Sequence, residues 1–197
     1  WEEIEISIVK SISSAMAAML ILLAIGSLSG TWLLSGIVPS MIYYGLKILN
    51  PTIFLFAACV VSGIVSLATG SSWSTVATVG IALLGIGKAL NIPEGVIAGA
   101  IISGAYFGDK MSPLSDTTNL APAMAGTDLF THIKYMAITT IPTLGITLII
   151  YFIWGFTLDT TQAVADSSTV LLALEEKFSL NPLLFIVPVL VIVMIVK

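Results

Sequence analysis

The sequence predicts an all-α integral membrane protein, and three observations support that prediction. Only 9% of the 197 residues are charged and 57% are hydrophobic, whereas a soluble domain carries about 25% charged residues. Several apolar runs approach the roughly 20 residues that a helix needs to cross a bilayer. The breaks between these runs hold mainly glycine, proline and hydroxyl side chains. Because hydrocarbon offers backbone groups no hydrogen-bonding partners, such runs predict a polytopic bundle of helices.

The first quarter of the chain contains one predicted span and one interfacial segment. Residues 12–36 are apolar and long enough to cross the membrane. Residues 37–49 carry paired tyrosines and a lysine, which is a composition typical of a membrane interface. Asn50 and Pro51 combine an N-cap with a proline at the first helical position, so they begin a helix over 51–69.

A polar break, TGSSWST, separates that helix from the next, which we expect over 75–90. Asn91 and Pro93 then open a further helix that ends near Gly108. The long polar stretch that follows is the second break. Two breaks between apolar helices therefore divide the middle of the chain.

The last third of the chain begins where Asp128 is placed to cap a helix. That helix leads into a span over 136–156, and residues 157–179 are the most polar part of the sequence. Asn181 and Pro182 begin a last apolar run. Because the chain starts with tryptophan and stops within that run, we expect it to be a fragment of a longer polypeptide.

Charge indicates the orientation of the 136–156 span. An excess of lysine marks the cytoplasmic side. His132 and Lys134 flank one end of this span, and the acidic segment flanks the other. We therefore expect residues 109–134 on the cytoplasmic side of a cell membrane and residues 157–179 outside.

Several classes of protein are disfavoured by composition. A single cysteine, Cys59, forms no internal disulfide, and a single histidine, His132, excludes multi-histidine metal sites within this chain. The basic residues are scattered lysines without a patch for nucleic acid. An intramembrane enzyme would need a nucleophile–base pair or a motif such as HExxH, which the sequence lacks. Two carboxylates in hydroxyl-rich breaks argue against a purely structural subunit.

The second polar break, GDKMSPLSDTTNLAP, holds two carboxylates in an apolar chain. A carboxylate at bilayer depth costs about 2.5–3.5 kcal/mol. Pro113 and Pro122 each remove a backbone hydrogen bond, and the residues between them favour caps over helix interiors. We expect freed backbone lined with oxygen, which suits a small hard cation. The candidate ligands for Na⁺ or a proton are Asp109, Ser112, Ser115, Asp116, Thr117, Thr118 and Asn119, with the two aspartates on Na⁺.

An aqueous loop is the alternative interpretation of this break. Asp116 or Thr117 would then be an N-cap, and Asp109 and Lys110 would be exposed charges.

The first polar break, within TGSSWSTVAT at residues 69–78, also allows two interpretations. It is either a turn between two complete spans or the tip of a re-entrant hairpin that offers helix ends and hydroxyls to an ion. Its tryptophan fits either an interfacial anchor or a lid over a site. The candidate residues of this tip are Ser71, Ser72, Trp73, Ser74 and Thr75.

The segments ATGSSWSTVATVG and GAIISGAYFGDKMSPLSDTTNLAPAMAGTDLFTHIKYM resemble the NhaC family of Na⁺/H⁺ antiporters, as does the lead-in WEEIEISIVKSISSA. The family includes malate/lactate exchangers, and the resemblance covers essentially the whole chain. It implies two inverted repeats, with residues 1–179 as the first, incomplete at its N-terminus, and residues 180–197 as the truncated start of the second. It also implies a re-entrant tip at 70–75 and an unwound partner at 109–119.

The resemblance implies exchange of Na⁺ for H⁺ across the lipid bilayer without a cofactor. It leaves open whether the protein forms a homo-oligomer. Burial disfavours the charged form of a carboxyl group and bound Na⁺ favours it, so the two ions compete for one carboxylate. We expect Asp116 to carry this competition, with Asp109 as the second carboxylate or proton acceptor. An organic-acid exchanger of the malate/lactate type is the alternative, although this chain has no arginine to clamp a carboxylate.

Overall fold

A computed structural model describes residues 1–48, 50–158 and 160–196, and the regular elements in those ranges are all helical, as predicted. A π turn at Val76–Gly80 joins the fourth helix to the fifth, and a short 3₁₀ helix at Pro182–Phe185 precedes the last. The helices are α1 (Glu2–Leu34), α2 (Ile37–Ile48), α3 (Pro51–Thr69), α4 (Ser72–Thr75), α5 (Ile81–Ala89), α6 (Glu94–Met111), α7 (Asp116–Ala125), α8 (Leu129–Gly155), α9 (Thr160–Lys177) and α10 (Ile186–Val196).

The observed boundaries agree with the predicted ones at α3 and differ at both polar breaks. The Asn50 side chain accepts a hydrogen bond from the Thr52 amide and caps α3 as expected. The polar segment predicted at 157–179 contains the helix α9. Leu49, Asp159 and Lys197, which belong to the segments predicted at 37–49, 157–179 and 180–197, lie outside the described residues.

The centre of the fold is the contact between α3 and α6, which run parallel with their backbones touching. A Cβ atom on Gly104 would overlap the carbonyl group of Cys59, and one on Gly108 would overlap that of Gly63. The Ser66 hydroxyl donates a hydrogen bond to the Ala105 carbonyl oxygen at 2.5 Å. Small residues therefore let the two helices approach as closely as membrane helices do.

The segment from α4 through α5 folds back antiparallel to α3 and α6. Ser72 lies beside Asp109, whereas Gly87, fifteen residues later, packs against Ile97 and Phe54 near the other ends of α6 and α3. The two limbs 51–69 and 72–89 thus form a helical hairpin with its tip at the first polar break. The hairpin and α6 enclose the main apolar core, built on Phe54, Leu55, Cys59, Leu83, Ile86, Ile97 and Ile101.

Two helices within the described ranges, α3 and α8, are long and apolar enough to cross a membrane by length and composition. Helix α8 runs antiparallel to α3, since Gly155 meets Thr52 and Phe152 stacks on Phe56. A row of large apolar side chains on α8 is exposed, which a bilayer would tolerate and water would not. This row includes Ile138, Ile141, Ile146, Ile149 and Ile153.

Helix α2 is too short to cross a bilayer, because 12 residues extend only about 18 Å. It packs against α5 and is tied to α9, where the Tyr43 hydroxyl donates a hydrogen bond to Glu175. Lys47 donates to the same hydroxyl, and this hydrogen bond raises the pKa of Lys47 above its ordinary value. The segment predicted as interfacial is therefore a short helix with one buried face.

We expect Gly104→Ala to destabilise the full-length protein, because the added methyl group meets the Cys59 backbone in the α3–α6 contact. Overpacking of this kind costs about 1–3 kcal/mol, so the melting temperature in detergent should fall by several degrees. Gly95→Ala on the same helix is the matched control, since a Cβ there meets nothing within 4 Å. Equal melting temperatures for the two variants would contradict the close contact.

Candidate functional site

The two polar breaks lie side by side because α3 and α6 run parallel and end at the same level. The Ser112 hydroxyl donates a hydrogen bond to the Leu67 carbonyl oxygen in the last turn of α3, at 2.8 Å. Gly70 ends α3 with φ of 70°, and a Cβ there would stand 2.6 Å from the carbonyl carbon of Leu114. Only glycine suits this position, since its left-handed conformation and its close neighbour both exclude a side chain.

The first break is shorter than predicted, because Ser71 caps the helix that follows it. The Ser71 side chain accepts a hydrogen bond from the Ser74 amide at 3.2 Å, and the Thr75 hydroxyl donates to the Ser71 carbonyl oxygen at 2.9 Å. The helix therefore begins at Ser72, and the prediction that it begins at residue 75 is wrong. Only Gly70 and Ser71 stand outside helices, so most of the predicted tip is a first helical turn.

The second break contains four residues, from Ser112 to Ser115, between α6 and α7. The Ser115 side chain accepts a hydrogen bond from the Thr118 amide at 3.4 Å, so Ser115 is the N-cap and neither Asp116 nor Thr117 is. The expectation of an unwound segment over 109–119 is therefore too broad. Asp109 ends α6, and the residues from Asp116 onward begin α7.

Helix α7 folds back onto the end of α6 through side chains predicted as ion ligands. The Thr118 hydroxyl is placed to donate to the carbonyl oxygens of Asp109 and Lys110, at 3.3 and 3.2 Å. The Asn119 amide donates to the Pro113 carbonyl oxygen at 2.7 Å. These contacts replace hydrogen bonds that the helix ends leave unmade, so they hold the shape of the break.

Asp109 connects the two breaks. Its Oδ2 atom accepts a hydrogen bond from the Ser72 hydroxyl at 2.6 Å. Ser72 is buried and Asp109 is partly buried, whereas Asp116 is exposed on the first turn of α7. The structure thus brings one of the two predicted carboxylates into contact with the other motif and leaves the second on the surface of this chain.

The remaining predicted residues divide into buried and exposed groups. Ser112, Ser115, Thr118 and Thr75 are buried and bonded to backbone groups or to neighbouring hydroxyls. Thr117 and Asn119 are exposed, and Trp73 is 68% exposed beside a small apolar pocket with Val76 and Tyr106. No ion pair joins Lys110 to Asp109, although both side chains are described.

The described residues contain no cluster of three His, Cys, Asp or Glu side chains that could hold a metal ion. A cation at this contact would therefore be bound by one carboxylate together with hydroxyl and carbonyl oxygens. Oxygen ligands of these kinds suit Na⁺. A single carboxylate carries too little negative charge to hold a divalent ion tightly.

Sequence reasoning missed the residues that bring the breaks together. Gly63 on α3 and Gly104 and Gly108 on α6 make the close approach, and Ser66 bonds across it. Gly104 and Gly108 lie four residues apart on α6, which is the small-xxx-small pattern of packed membrane helices. This pattern is visible in the sequence. The partner helix could not be identified from that pattern.

Comparison with known proteins gives the class. Residues 104–197 match the model of the Na⁺/H⁺ antiporter family. The chain is 43% identical over 196 residues, 99% of its length, to the malate-2H⁺/Na⁺-lactate antiporter of Bacillus subtilis, of which it covers 42%. It is 40% identical over 197 residues to the Na⁺/H⁺ antiporter NhaC of Alkalihalophilus pseudofirmus, of which it covers 42%. No solved structure gives a significant match.

A third relative widens the range of cargo. Over 160 residues, which are 81% of its length, the chain is 42% identical to the arginine/ornithine antiporter ArcD of Halobacterium salinarum. It covers 33% of that protein. The helices and the joined polar breaks define a polytopic helical membrane protein, and the relatives that it matches are named as antiporters. Over its whole length the chain is similar to members of the NhaC family of Na⁺/H⁺ antiporters, and it spans about two fifths of the length of these relatives.

Replacement of Gly70 by alanine should disrupt the contact between the breaks. Both Gly70 and Gly126 have φ of 70°, but a Cβ on Gly126 meets nothing within 4 Å. Gly126→Ala therefore carries only the left-handed backbone cost of about 1–2 kcal/mol, whereas Gly70→Ala adds a clash with Leu114. We expect a clearly larger fall in melting temperature for Gly70→Ala, and equal falls would contradict the assigned contact.

Proposed function

We propose that the full-length protein exchanges Na⁺ for H⁺ across the cell membrane and that Asp109 carries the exchange. The observation that supports this role is the 2.6 Å hydrogen bond between Ser72 and Asp109, which joins the two polar breaks at a partly buried carboxylate. An ionisable group within a membrane bundle is costly and is typically retained for function. The exposed Asp116 becomes a secondary carboxylate in this proposal.

The Ser72 hydroxyl suits all three states of such a carboxylate. In the structure it donates a hydrogen bond to the Asp109 Oδ2 atom, which suits an ionised carboxyl group. It can rotate to accept a hydrogen bond from a protonated Asp109, and its oxygen can share Na⁺ with the carboxylate. Proton and sodium would therefore compete for the same oxygen atoms, and the half-saturating Na⁺ concentration would rise as the pH falls.

The proposal includes a re-entrant tip at the first break, and it is supported by the hairpin that the limbs 51–69 and 72–89 form against α6. With α6 and α7 as the broken helix, the chain would supply one of two inverted repeats, divided at 179–180. The side with residues 109–134 would face the cytoplasm and residues 157–179 the outside.

Exchange of an organic ion is the second candidate. Relatives named for malate and lactate, or for arginine and ornithine, are as similar to this chain as the relative named for Na⁺ and H⁺. Overall identity therefore does not decide the cargo. Uptake of labelled malate into proteoliposomes, measured with and without a Na⁺ gradient, separates the two. Na⁺-dependent proton movement without malate supports the first proposal.

We expect Asp109→Asn to abolish Na⁺-dependent proton movement in proteoliposomes loaded with a pH-sensitive dye, because the amide binds neither ion as a carboxylate does. Ser72→Ala should raise the half-saturating Na⁺ concentration about tenfold, or about 1.4 kcal/mol, since Na⁺ would lose the hydroxyl oxygen that shares it with Asp109. Asp116→Asn should retain activity.

The control for these variants is Asp128→Asn, which alters an exposed helix cap outside both breaks. If Asp116→Asn loses exchange and Asp109→Asn retains it, Asp116 is the carboxylate for which Na⁺ and H⁺ compete, as expected from the sequence.

A further inference from the structure

A small pocket lies where α2 meets α9, and its lining surface is mainly polar. Its volume is about 250 Å³. The Lys47 ammonium group stands beside it, 4.1 Å from the centre of the Tyr43 ring. Neither polar break contributes a residue to this pocket. The residues that line it are Tyr43, Tyr44, Glu175, Phe178 and Leu180.

Tyr43 holds a lysine and a glutamate apart at the edge of the pocket. The hydroxyl of this buried tyrosine donates a hydrogen bond to Glu175 and accepts one from Lys47. Both charged side chains are described and exposed, and no ion pair joins them. A lysine has three N–H donors and a carboxylate has two acceptor oxygens. Each charged group therefore keeps hydrogen-bonding capacity beyond its bond to the tyrosine.

Both charges lie at one boundary of the membrane. Helices α3 and α8 are each long and apolar enough to span a bilayer, and the first turn of α3 meets the end of α8 where Thr52 contacts Gly155. Lys47 lies just before Pro51, the first residue of α3. Paired tyrosines and a lysine on α2 are typical of the headgroup region. The pocket is therefore placed where phospholipid headgroups reach it.

Exposed apolar side chains border the charged pair. Ile48, which follows Lys47, is 79% exposed, and Leu183 is 66% exposed. Leu183 belongs to the 3₁₀ helix that packs on α2, where the rings of Phe185 and Tyr44 stack with their centroids 5.7 Å apart. A lipid brings acyl chains beside these side chains and a soluble ligand does not, so the border favours a lipid.

We propose that this pocket binds the headgroup of phosphatidylethanolamine in the leaflet on the side of residues 157–179. The phosphate accepts hydrogen bonds from Lys47, and the ethanolamine ammonium group donates to Glu175. One positive and one negative group match a zwitterion, whereas a purely anionic headgroup meets the Glu175 carboxylate without a counter-charge. Phosphatidylcholine matches the charges but has no N–H donor for the carboxylate. The proposal does not depend on the cargo or on the role of Asp109.

Lipid preference is tested by native mass spectrometry of the full-length protein in detergent, titrated with one phospholipid at a time. Phosphatidylethanolamine should bind about tenfold more tightly than phosphatidylglycerol, which lacks the ammonium group, because only the first forms the charge-assisted bond to Glu175. It should also bind several-fold more tightly than phosphatidylcholine. Soluble phosphoethanolamine should displace the lipid only at concentrations at least about a hundredfold higher, because it has no acyl chains.

Two variants assign the preference to this pocket. Glu175→Gln should weaken the binding of phosphatidylethanolamine about tenfold without weakening that of phosphatidylglycerol, and the second result shows that the variant is folded. Lys47→Gln should weaken the binding of both lipids, because both carry the phosphate. Glu176→Gln, on the next and equally exposed carboxylate of α9, and Lys134→Gln, near the other end of α8, are the matched controls and should change neither.

Three results would overturn the proposal. They are equal affinities of the unmodified protein for phosphatidylethanolamine and phosphatidylglycerol, equal effects of Glu175→Gln and Glu176→Gln, and displacement by phosphoethanolamine at the same concentration as by the lipid. Phosphatidylcholine that binds as tightly as phosphatidylethanolamine would overturn the assigned N–H donation to Glu175.

Discussion

The close contact between α3 and α6 is the constraint on which the rest of the structure depends. Gly104 and Gly108 present no side chain, so the backbone of α6 lies directly against that of α3 around Cys59 and Gly63. Two parallel helices held at this distance must end at the same level if their lengths match. Their ends are the two polar breaks, and the contact therefore brings together residues far apart in sequence. A single hydrogen bond from Ser72 to Asp109 then joins the two polar breaks.

The breaks are ordered segments in which most polar groups have partners. Ser71 and Ser115 cap the helices that follow, and Ser112 bonds to the preceding end of α3. Because the hydroxyls satisfy backbone groups at the helix ends, few polar atoms remain to bind an ion. The carboxylate of Asp109 is the exception, and its only recorded side-chain partner in the described part of the chain is a hydroxyl that can donate or accept. The contact between the two breaks therefore depends on a carboxyl group and a hydroxyl group, both of which can change hydrogen-bonding partners.

The difference between Asp109 and Asp116 shows what a sequence motif leaves undecided. Both lie in one polar stretch, and the expectation from the sequence assigned the exchange to Asp116, which the structure leaves exposed. Helix capping decides, because Ser115 begins α7 and turns Asp116 onto its exposed first turn, while Asp109 stays on the last turn of α6. The same effect shortens the first break, where Ser71 begins the helix three residues before the predicted start. Caps are short-range features, but competing serines and aspartates make the choice of cap ambiguous from sequence.

The sequence by itself determined the membrane-helical class, the bounds of α3, the existence of both polar breaks and their resemblance to one transporter family. These depend on composition, periodicity and local capping, which a linear chain already contains. Only the tertiary structure decided that α3 pairs with α6, that Asp109 meets Ser72, and that Tyr43 on α2 meets Glu175 on α9. These are contacts between helices, and the identity of a packing partner depends on the shape of whole surfaces that no local pattern specifies.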